Sequence, residues 1–151
     1  MHTLTGGCHC GAIGVELELT RAPEDYHPRA CDCDFCCKHA AAWVSDPEGR
    51  LVIRAAQDGK ATLYRQGSGQ AALLLCGQCG VLVAVLYASG EHLYAAINAR
   101  AIEGGAPFGS AQSVSPKTLS EKEKVERWQK LWFSNVILEG IDPTRAESTQ
   151  A

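Results

Sequence analysis

The sequence has no long apolar run and no marked excess of charge of either sign. Its longest apolar stretch, residues 81–87, is far too short to cross a bilayer as a helix. Residues 1–5 show no basic segment followed by an apolar core, so we expect no secretory signal and a cytoplasmic location. The net charge of −3 favours neither nucleic acid nor a membrane surface as a partner.

Internal repeats, low-complexity segments and a linker that would separate two domains are also absent. The 151 residues, 46% of them apolar and 21% charged, have the composition of one soluble globular domain. We therefore predict a single domain over residues 1–140, followed by a polar tail over residues 141–151.

Cysteine is the informative residue type. The chain has eight cysteines, all in clusters at residues 8–10, 31–37 and 76–79. Four disulfides would need an oxidising compartment, and disulfides usually join distant strands. Clustered cysteines are typical of a metal site instead. Zinc is the metal that thiolate-rich tetrahedral sites select, and an iron–sulfur centre is the main alternative.

The last cluster is a C-x-x-C-G knuckle formed by Cys76 and Cys79, in which Gly80 permits the backbone to turn toward the sulfur atoms. A closed structural zinc site needs four ligands, commonly from two such short segments. Cys8 and Cys10 can supply the second pair. This partition predicts a structural zinc site made of these four cysteines.

The middle cluster then keeps three ligands from one tight loop, Cys31, Cys33 and Cys36. Three protein ligands and an open position are the arrangement of a catalytic zinc ion. An alternative partition joins the middle cluster to Cys76 and Cys79 and leaves the first cluster without a ligand role. Spacing alone leaves both partitions open.

Short apolar segments separated by turns predict an antiparallel β architecture. The clearest segment is residues 12–19, where every second side chain is apolar and Glu16 and Glu18 lie between them. Further strands are predicted at residues 42–44, 51–53, 61–64, 72–75, 81–87 and 93–99, with turns at 46–49, 58–59 and 67–69.

One helix is predicted near the end of the domain, over about residues 120–133. Ser120 and Glu123 have the spacing of a capping box, which marks a helix start. The apolar side chains that follow share one helical face: Val125, Trp128, Leu131 and Trp132. Residues 135–140 add a short extended piece. The predicted fold class is mainly β with a C-terminal helix.

In their order and spacing, the cysteine clusters and their neighbours resemble the glutathione-dependent formaldehyde-activating enzyme family, which also includes centromere protein V. The matching segments lie within about residues 4–105 and read GGCHCGA at 6–12, CDCDFC at 31–36, W at 43, YR at 64–65, CGQCG at 76–80 and INAR at 97–100. The resemblance implies an antiparallel β-tent built around zinc. It also implies the first partition of the cysteines, with the structural ion on Cys8, Cys10, Cys76 and Cys79 and the catalytic ion on Cys31, Cys33 and Cys36.

The activity that the resemblance implies is the addition of the glutathione thiol to formaldehyde, a reaction of the carbon–sulfur lyase type. A zinc ion with one open position can deprotonate a bound thiol or polarise an aldehyde oxygen, and three cysteinate ligands favour the first. Glutathione has two carboxylates that require basic receptors, and Lys38, Arg65 and Arg100 are candidates by their positions in the motifs. Another small thiol or aldehyde fits the same chemistry.

One position departs from the family pattern. Cys37 stands where the family usually has a basic residue, which here follows as Lys38. We interpret Cys37 as a spare thiol; the alternatives are a fourth metal ligand and a redox partner for Cys36. A closed four-sulfur site there would favour another class of function, a non-catalytic zinc-scaffolded module that binds a protein. We interpret His39 as structural rather than as a base or ligand, and His9 as a residue that orients the first cluster.

Overall fold

The computed structural model describes residues 1–56, 60–104 and 108–145, which form two β-sheets with two α-helices. In chain order the strands are β1 (His2–Gly7), β2 (Ile13–Leu19), β3 (Arg29–Cys31), β4 (Ala42–Val44), β5 (Arg50–Ala55), β6 (Ala61–Arg65), β7 (Ala72–Cys76), β8 (Leu82–Ser89), β9 (His92–Asn98), β10 (Gln112–Val114) and β11 (Val136–Glu139). The helices are α1 (Asp34–His39) and α2 (Glu121–Leu131). Short 3₁₀ turns lie at Pro23–Asp25, Ala99–Ala101 and Pro116–Thr118.

The smaller sheet has the strand order β1-β2-β5-β11, and the larger sheet has the order β10-β3-β4-β9-β8-β7-β6. The sheets are largely antiparallel, which confirms the predicted fold class. Two pairs are parallel, β3 with β10 and β5 with β11. Parallel neighbours need long connections, and here both pairs form because the C-terminal part of the chain returns to early strands. Within the described residues, no helix is long and apolar enough to cross a membrane.

Every predicted strand is present, and each of its ends lies within two residues of the predicted position. The alternating pattern predicted the two faces of β2 correctly. The core contains Ile13, Val15, Leu17 and Leu19, while the glutamates between them are only half-buried. The predicted turn at residues 58–59 lies outside the described residues. Of the predicted polar tail, 141–151, only residues up to 145 are described.

Four elements were not predicted: β1, β3, β10 and α1. β3 and β10 have three residues each, which is too short for any hydrophobic period to be recognised. β1 is a largely exposed edge strand that ends in two glycines, a residue type that strands disfavour. α1 has six residues and begins inside the middle cysteine cluster, which was interpreted as a loop.

Two apolar cores cover the two faces of the larger sheet. The first lies between the sheets and includes the buried side chains of β2 and β5 together with those of β7, β8 and β9. The second lies on the opposite face, where Trp128 and Trp132 pack against Trp43, Leu73 and Val85. β8 contributes to both cores, which explains why its sequence is a continuous apolar run rather than an alternating one.

Helix α2 begins as predicted. The Ser120 hydroxyl accepts a hydrogen bond from the Glu123 backbone N–H at 3.1 Å, and the Glu123 carboxylate accepts one from the Ser120 N–H at 2.9 Å. This reciprocal cap supplies partners for two backbone groups that a helix end leaves free. The cap fixes where α2 starts, and the buried Trp128 fixes which face it turns to the sheet.

Candidate functional site

A four-cysteine group joins the two sheets. Cys8 and Cys10 lie in the connection between β1 and β2, Cys76 ends β7, and Cys79 lies in the turn before β8. Their Sγ atoms all lie within 4.8 Å of one another. The distance from Cys10 Sγ is 3.7 Å to Cys8 Sγ and 3.6 Å to Cys76 Sγ. A disulfide requires about 2.0 Å, whereas ligands at the usual Zn–S distance around a tetrahedral ion are about 3.8 Å apart. The spacing is therefore that of metal ligands.

Backbone N–H groups around the C-x-x-C-G turn point at its sulfur atoms. The Cys76 sulfur accepts from the N–H groups of Gln78 at 3.3 Å and Cys79 at 3.4 Å. Gly80 closes the turn with a φ of +82°, a conformation that other residues rarely adopt. The Val81 N–H lowers the pKa of the Cys79 thiol to about 6. The knuckle thus favours thiolates, the form that binds a metal.

The second group contains Cys31, Cys33 and Cys36, whose Sγ atoms also lie within 4.8 Å of one another. Cys31 ends β3, Cys33 is the N-cap of α1, and Cys36 lies within that helix. The Cys33 sulfur accepts a hydrogen bond from the Cys36 N–H at 3.4 Å. What was interpreted as one tight loop is thus the end of a strand followed by a helix N-terminus. Such a terminus directs free N–H groups at an acceptor, here a sulfur atom.

Protons are shared unequally among these three thiols. A hydrogen bond from Cys36 lowers the pKa of Cys31 to about 6, and the same contact raises the pKa of Cys36 far above its ordinary value. Burial raises the pKa of Cys33. Ionisation of one thiol therefore makes ionisation of its neighbours harder. A bound cation would relieve that repulsion, so the donor set fits a divalent metal that prefers thiolates, such as zinc.

Three further residues from the sequence prediction lie outside both groups. Cys37 is exposed, with its Sγ 3.9 Å from the Cys31 carbonyl oxygen, and it is not one of the cysteines whose sulfurs cluster. The His39 ring lies against the Phe35 ring, with 4.6 Å between centroids. His9 is exposed beside the four-cysteine group. In the described part of the chain, the middle group therefore has three side chains that could bind a metal ion.

A cavity of about 180 Å³ adjoins the middle group, and all three of its cysteines line it. Much of the lining is apolar: Trp43, Ala71, Leu73, Val85, Trp128 and Trp132. The rest includes four cationic side chains: Arg29, Lys117, Lys124 and Arg127. The arrangement combines a soft metal-ligand set, an apolar wall and positive charge in one space. It suits a thiol or aldehyde that also carries negative charge.

Arg29 is the best anchored of the cavity cations. Its Nη2 donates to Ser45 Oγ at 2.7 Å, and Ser45 Oγ donates to the Leu131 carbonyl at 2.6 Å. Burial, followed by the charge of Arg127, lowers the pKa of Arg29 to about 10, so it remains a cation at neutral pH. Burial also lowers the pKa of Arg127, while the nearby Cys31 opposes that change. Arg127 therefore interacts electrostatically with the cysteine group, and Arg29 interacts electrostatically with Arg127.

Sequence reasoning did not select these cations, although two local signals point to them. Arg29 precedes Cys31 by two positions and so shares its face of β3. Lys124 precedes Trp128 by four positions and so lies one helical turn from it, and Arg127 is its immediate neighbour in the sequence. Neither signal specifies a cavity, because the strand and the helix come together only in the folded chain.

The three basic residues that were predicted to bind glutathione lie elsewhere. Lys38 is exposed on α1. The Arg65 guanidinium donates to two backbone carbonyls of the C-terminal segment, at 3.2 and 3.3 Å, and Arg100 Nε donates to the Ala40 carbonyl at 2.9 Å. Among the described residues, none of the three lines the cavity. The backbone contacts give Arg65 and Arg100 a structural role, and their part in binding glutathione stays a prediction.

The fold and the two cysteine groups define a class: a two-sheet β domain with two sets of thiols that can each hold a metal ion. The family model described as glutathione-dependent formaldehyde-activating enzyme matches residues 3–123, and the chain belongs to that family. The match contains every cysteine of both groups and continues past residue 105 into the first turn of α2. It confirms the resemblance drawn from the motifs.

A solved structure gives a second comparison. The crystal structure of a Rhodobacter sphaeroides protein, a structural genomics target, is similar to this chain with a TM-score of 0.51 and 29% sequence identity. The similarity covers 69% of this chain and 92% of that chain. The shared fold therefore spans nearly all of the Rhodobacter protein and leaves part of the present chain outside it.

Proposed function

We propose that this protein is a zinc-dependent enzyme that adds the thiol of glutathione to formaldehyde, or to a related small aldehyde, as a carbon–sulfur lyase. The family supports glutathione and formaldehyde as the substrates. The observation that carries the proposal is that Cys31, Cys33 and Cys36 form a three-sulfur group that lines a cavity large enough for a small substrate. Three ligands leave a position at which a substrate thiol can bind.

The two cysteine groups would have different roles. Cys8, Cys10, Cys76 and Cys79 would hold a structural zinc ion, because four ligands close the tetrahedral shell. Cys31, Cys33 and Cys36 would hold the catalytic ion. Zinc bound there supplies an open coordination position that lowers the pKa of a thiol.

The reaction itself is an addition without oxidation or reduction. The thiol sulfur forms a bond to the carbonyl carbon, the carbonyl π bond breaks, and the proton that leaves sulfur ends on oxygen. A free thiol with a pKa of about 8.5 is only about 3% ionised at pH 7, so full ionisation would raise the nucleophile concentration about 30-fold. Trp43, Trp128 and Trp132 limit water in the cavity, which strengthens the attraction between the cavity cations and a thiolate.

The competing class of function, a non-catalytic zinc-scaffolded module, requires a closed middle site. Cys37 was the residue that could close it. Its sulfur is exposed and is not grouped with the other three. This placement supports an exchangeable fourth position, and hence an enzyme. None of the eight cysteines is in a disulfide, which suits a reducing compartment, and on that ground we propose a cytoplasmic location.

The test of the proposal is the rate of exchange between formaldehyde and its glutathione adduct, measured by NMR exchange spectroscopy with and without the zinc-loaded protein. We expect the wild-type protein to accelerate the exchange. Cys33→Ser should abolish the acceleration, and Cys37→Ser, a matched change four residues along the chain, should retain it. Equal exchange rates with wild-type protein, Cys33→Ser and buffer alone would contradict the proposal. Loss of rate in Cys37→Ser would instead assign Cys37 a role in the chemistry.

A further inference from the structure

Four cationic side chains line the cavity, and three of them have no carboxylate partner among the described residues. Lys117 pairs with Asp32 at 3.8 Å. In the described part of the chain, no ion pair involves Arg29, Lys124 or Arg127. These three side chains, here named the cation triad, lie beside the middle cysteine group.

Burying the three cations of the triad costs folding free energy unless a negatively charged group lies beside them. Arg29 is held in place by Ser45, and its charge is opposed by that of Arg127. Arg127 and Lys124 are both only partly exposed. Buried charge without a counter-ion destabilises a folded protein. The cavity therefore has the electrostatic character of an anion receptor.

The metal centre can supply only part of the negative charge. Three cysteinates with a divalent zinc ion carry one net negative charge, and a bound substrate thiolate adds a second. The cation triad carries three positive charges, so one is still uncompensated. A carboxylate on the substrate would balance it, whereas a neutral thiol would not.

We propose that the cation triad selects thiols that carry a carboxylate and that helix α2 is the specificity element of the site. This inference rests on the proposed function, because the thiol must reach the middle cysteine group. Lys124 and Arg127 lie one helical turn apart, and the buried Trp128 next to them holds α2 against the larger sheet. Both residues lie beyond residue 123, where the family match ends. Two of the three cations would thus come from outside the family match, and Arg29 lies within it.

The test compares two thiols of nearly equal shape, mercaptoacetate and mercaptoacetamide, by calorimetric titration into the zinc-loaded full-length protein. The amide lacks the negative charge and keeps the thiol. Three proteins are compared: wild type, the double variant Lys124→Gln/Arg127→Gln, and the control Lys122→Gln/Lys130→Gln. The control removes the same charge from exposed positions on the same helix that do not line the cavity.

For the cavity variant we expect mercaptoacetate affinity to fall by about tenfold or more, as loss of a charge-assisted contact implies. Its mercaptoacetamide affinity should stay within about twofold of wild type, which a merely structural defect would not allow. The control variant should bind both thiols like wild type. Equal losses for the two thiols, an equal effect of the control variant, or no loss at all would overturn the inference.

Two further variants separate a loss of charge from a loss of folding. Arg127→Lys retains the charge and should keep mercaptoacetate affinity within about threefold of wild type. If the double variant does not fold, Lys124→Gln alone carries the comparison, because a single substitution disturbs the helix less than two. Charge selectivity without acceleration of formaldehyde exchange would support the cation triad and contradict the proposed reaction. Acceleration without charge selectivity would do the reverse, and failure of wild type to bind either thiol would overturn the inference about the cation triad.

Discussion

Replacing Cys76 by serine should unfold the protein, whereas replacing Cys33 by serine should not. Cys76 is only 2% exposed and belongs to the core between the sheets. Its sulfur lies 3.6 Å from that of Cys10, so the four-cysteine group ties the connection after β1 to the end of β7. Structural zinc contributes folding free energy on the order of 10 kcal/mol. The total stability of a domain is about 5–15 kcal/mol, so losing this ion removes most of it.

Under the proposed roles, the Cys33→Ser variant should damage only the three-cysteine site. Cys33 is also the N-cap of α1, where its sulfur accepts the Cys36 N–H. Serine is a favoured N-cap residue and would keep that bond, so the cost to the helix should be below about 1 kcal/mol. For a protein of this length that corresponds to a fall in Tm of about 2–4 °C or less.

The assay is a thermal melt followed by circular dichroism, with zinc content measured on the same samples. Cys33→Ser should be folded and contain one zinc ion fewer than wild type. Cys76→Ser should be aggregated or lack a cooperative transition, and Cys37→Ser should match wild type in both measurements. A folded Cys76→Ser protein beside a collapsed Cys33→Ser protein would show that the two roles are reversed.

Two more predictions follow from the structure. Freshly purified protein should contain up to two zinc ions per chain by elemental analysis, one for each cysteine group, and a chelator should remove the ion of the three-cysteine group first; iron with visible absorbance would contradict this. Asp46 is buried and accepts hydrogen bonds from Thr20 and Tyr26 at 2.6 Å. Although burial opposes ionisation, these bonds and those from backbone N–H groups lower its pKa below the ordinary 3.8. The ionised carboxylate therefore stabilises the fold above that pH, and its contribution is lost as the pH falls through 3.8 toward the lowered value. Asp46→Asn should cost about 1.5–3 kcal/mol at pH 7 in urea unfolding, and its difference from wild type should narrow below pH 4; a difference independent of pH would refute the argument.

Structural features that depend on adjacent residues could be predicted from the sequence, and features that depend on residues far apart in the chain could not. The strand β2 and the start of α2 could be predicted because alternation and a capping box are properties of a few adjacent residues. β3 and β10 could not, because a three-residue strand carries no period. Their parallel pairing joins residues 29–31 to residues 112–114 and depends on the packing of everything between.

The two cysteine groups also show that prediction succeeds for neighbouring residues and stops at contacts between distant segments. The spacing of Cys31, Cys33 and Cys36 predicted that their sulfurs lie together, since three thiols within six residues cannot lie far apart, and the structure groups them. Spacing alone did not decide which cysteines join Cys76 and Cys79. The fold brings Cys8 and Cys10 to them, because the hairpin of β1 and β2 lies beside the end of β7.

The sequence by itself determined the chemistry of this protein: clustered thiols, the metal they prefer and the family to which the motifs belong. Only the tertiary structure decided which charges face that chemistry. Arg29 and Arg127 are separated by most of the chain, and they line one cavity because α2 packs across the sheet that contains β3. Metal ligation is encoded in short motifs, because sulfurs must lie within a few ångströms of one ion. A binding cavity instead collects side chains from separate elements, and its composition follows from packing.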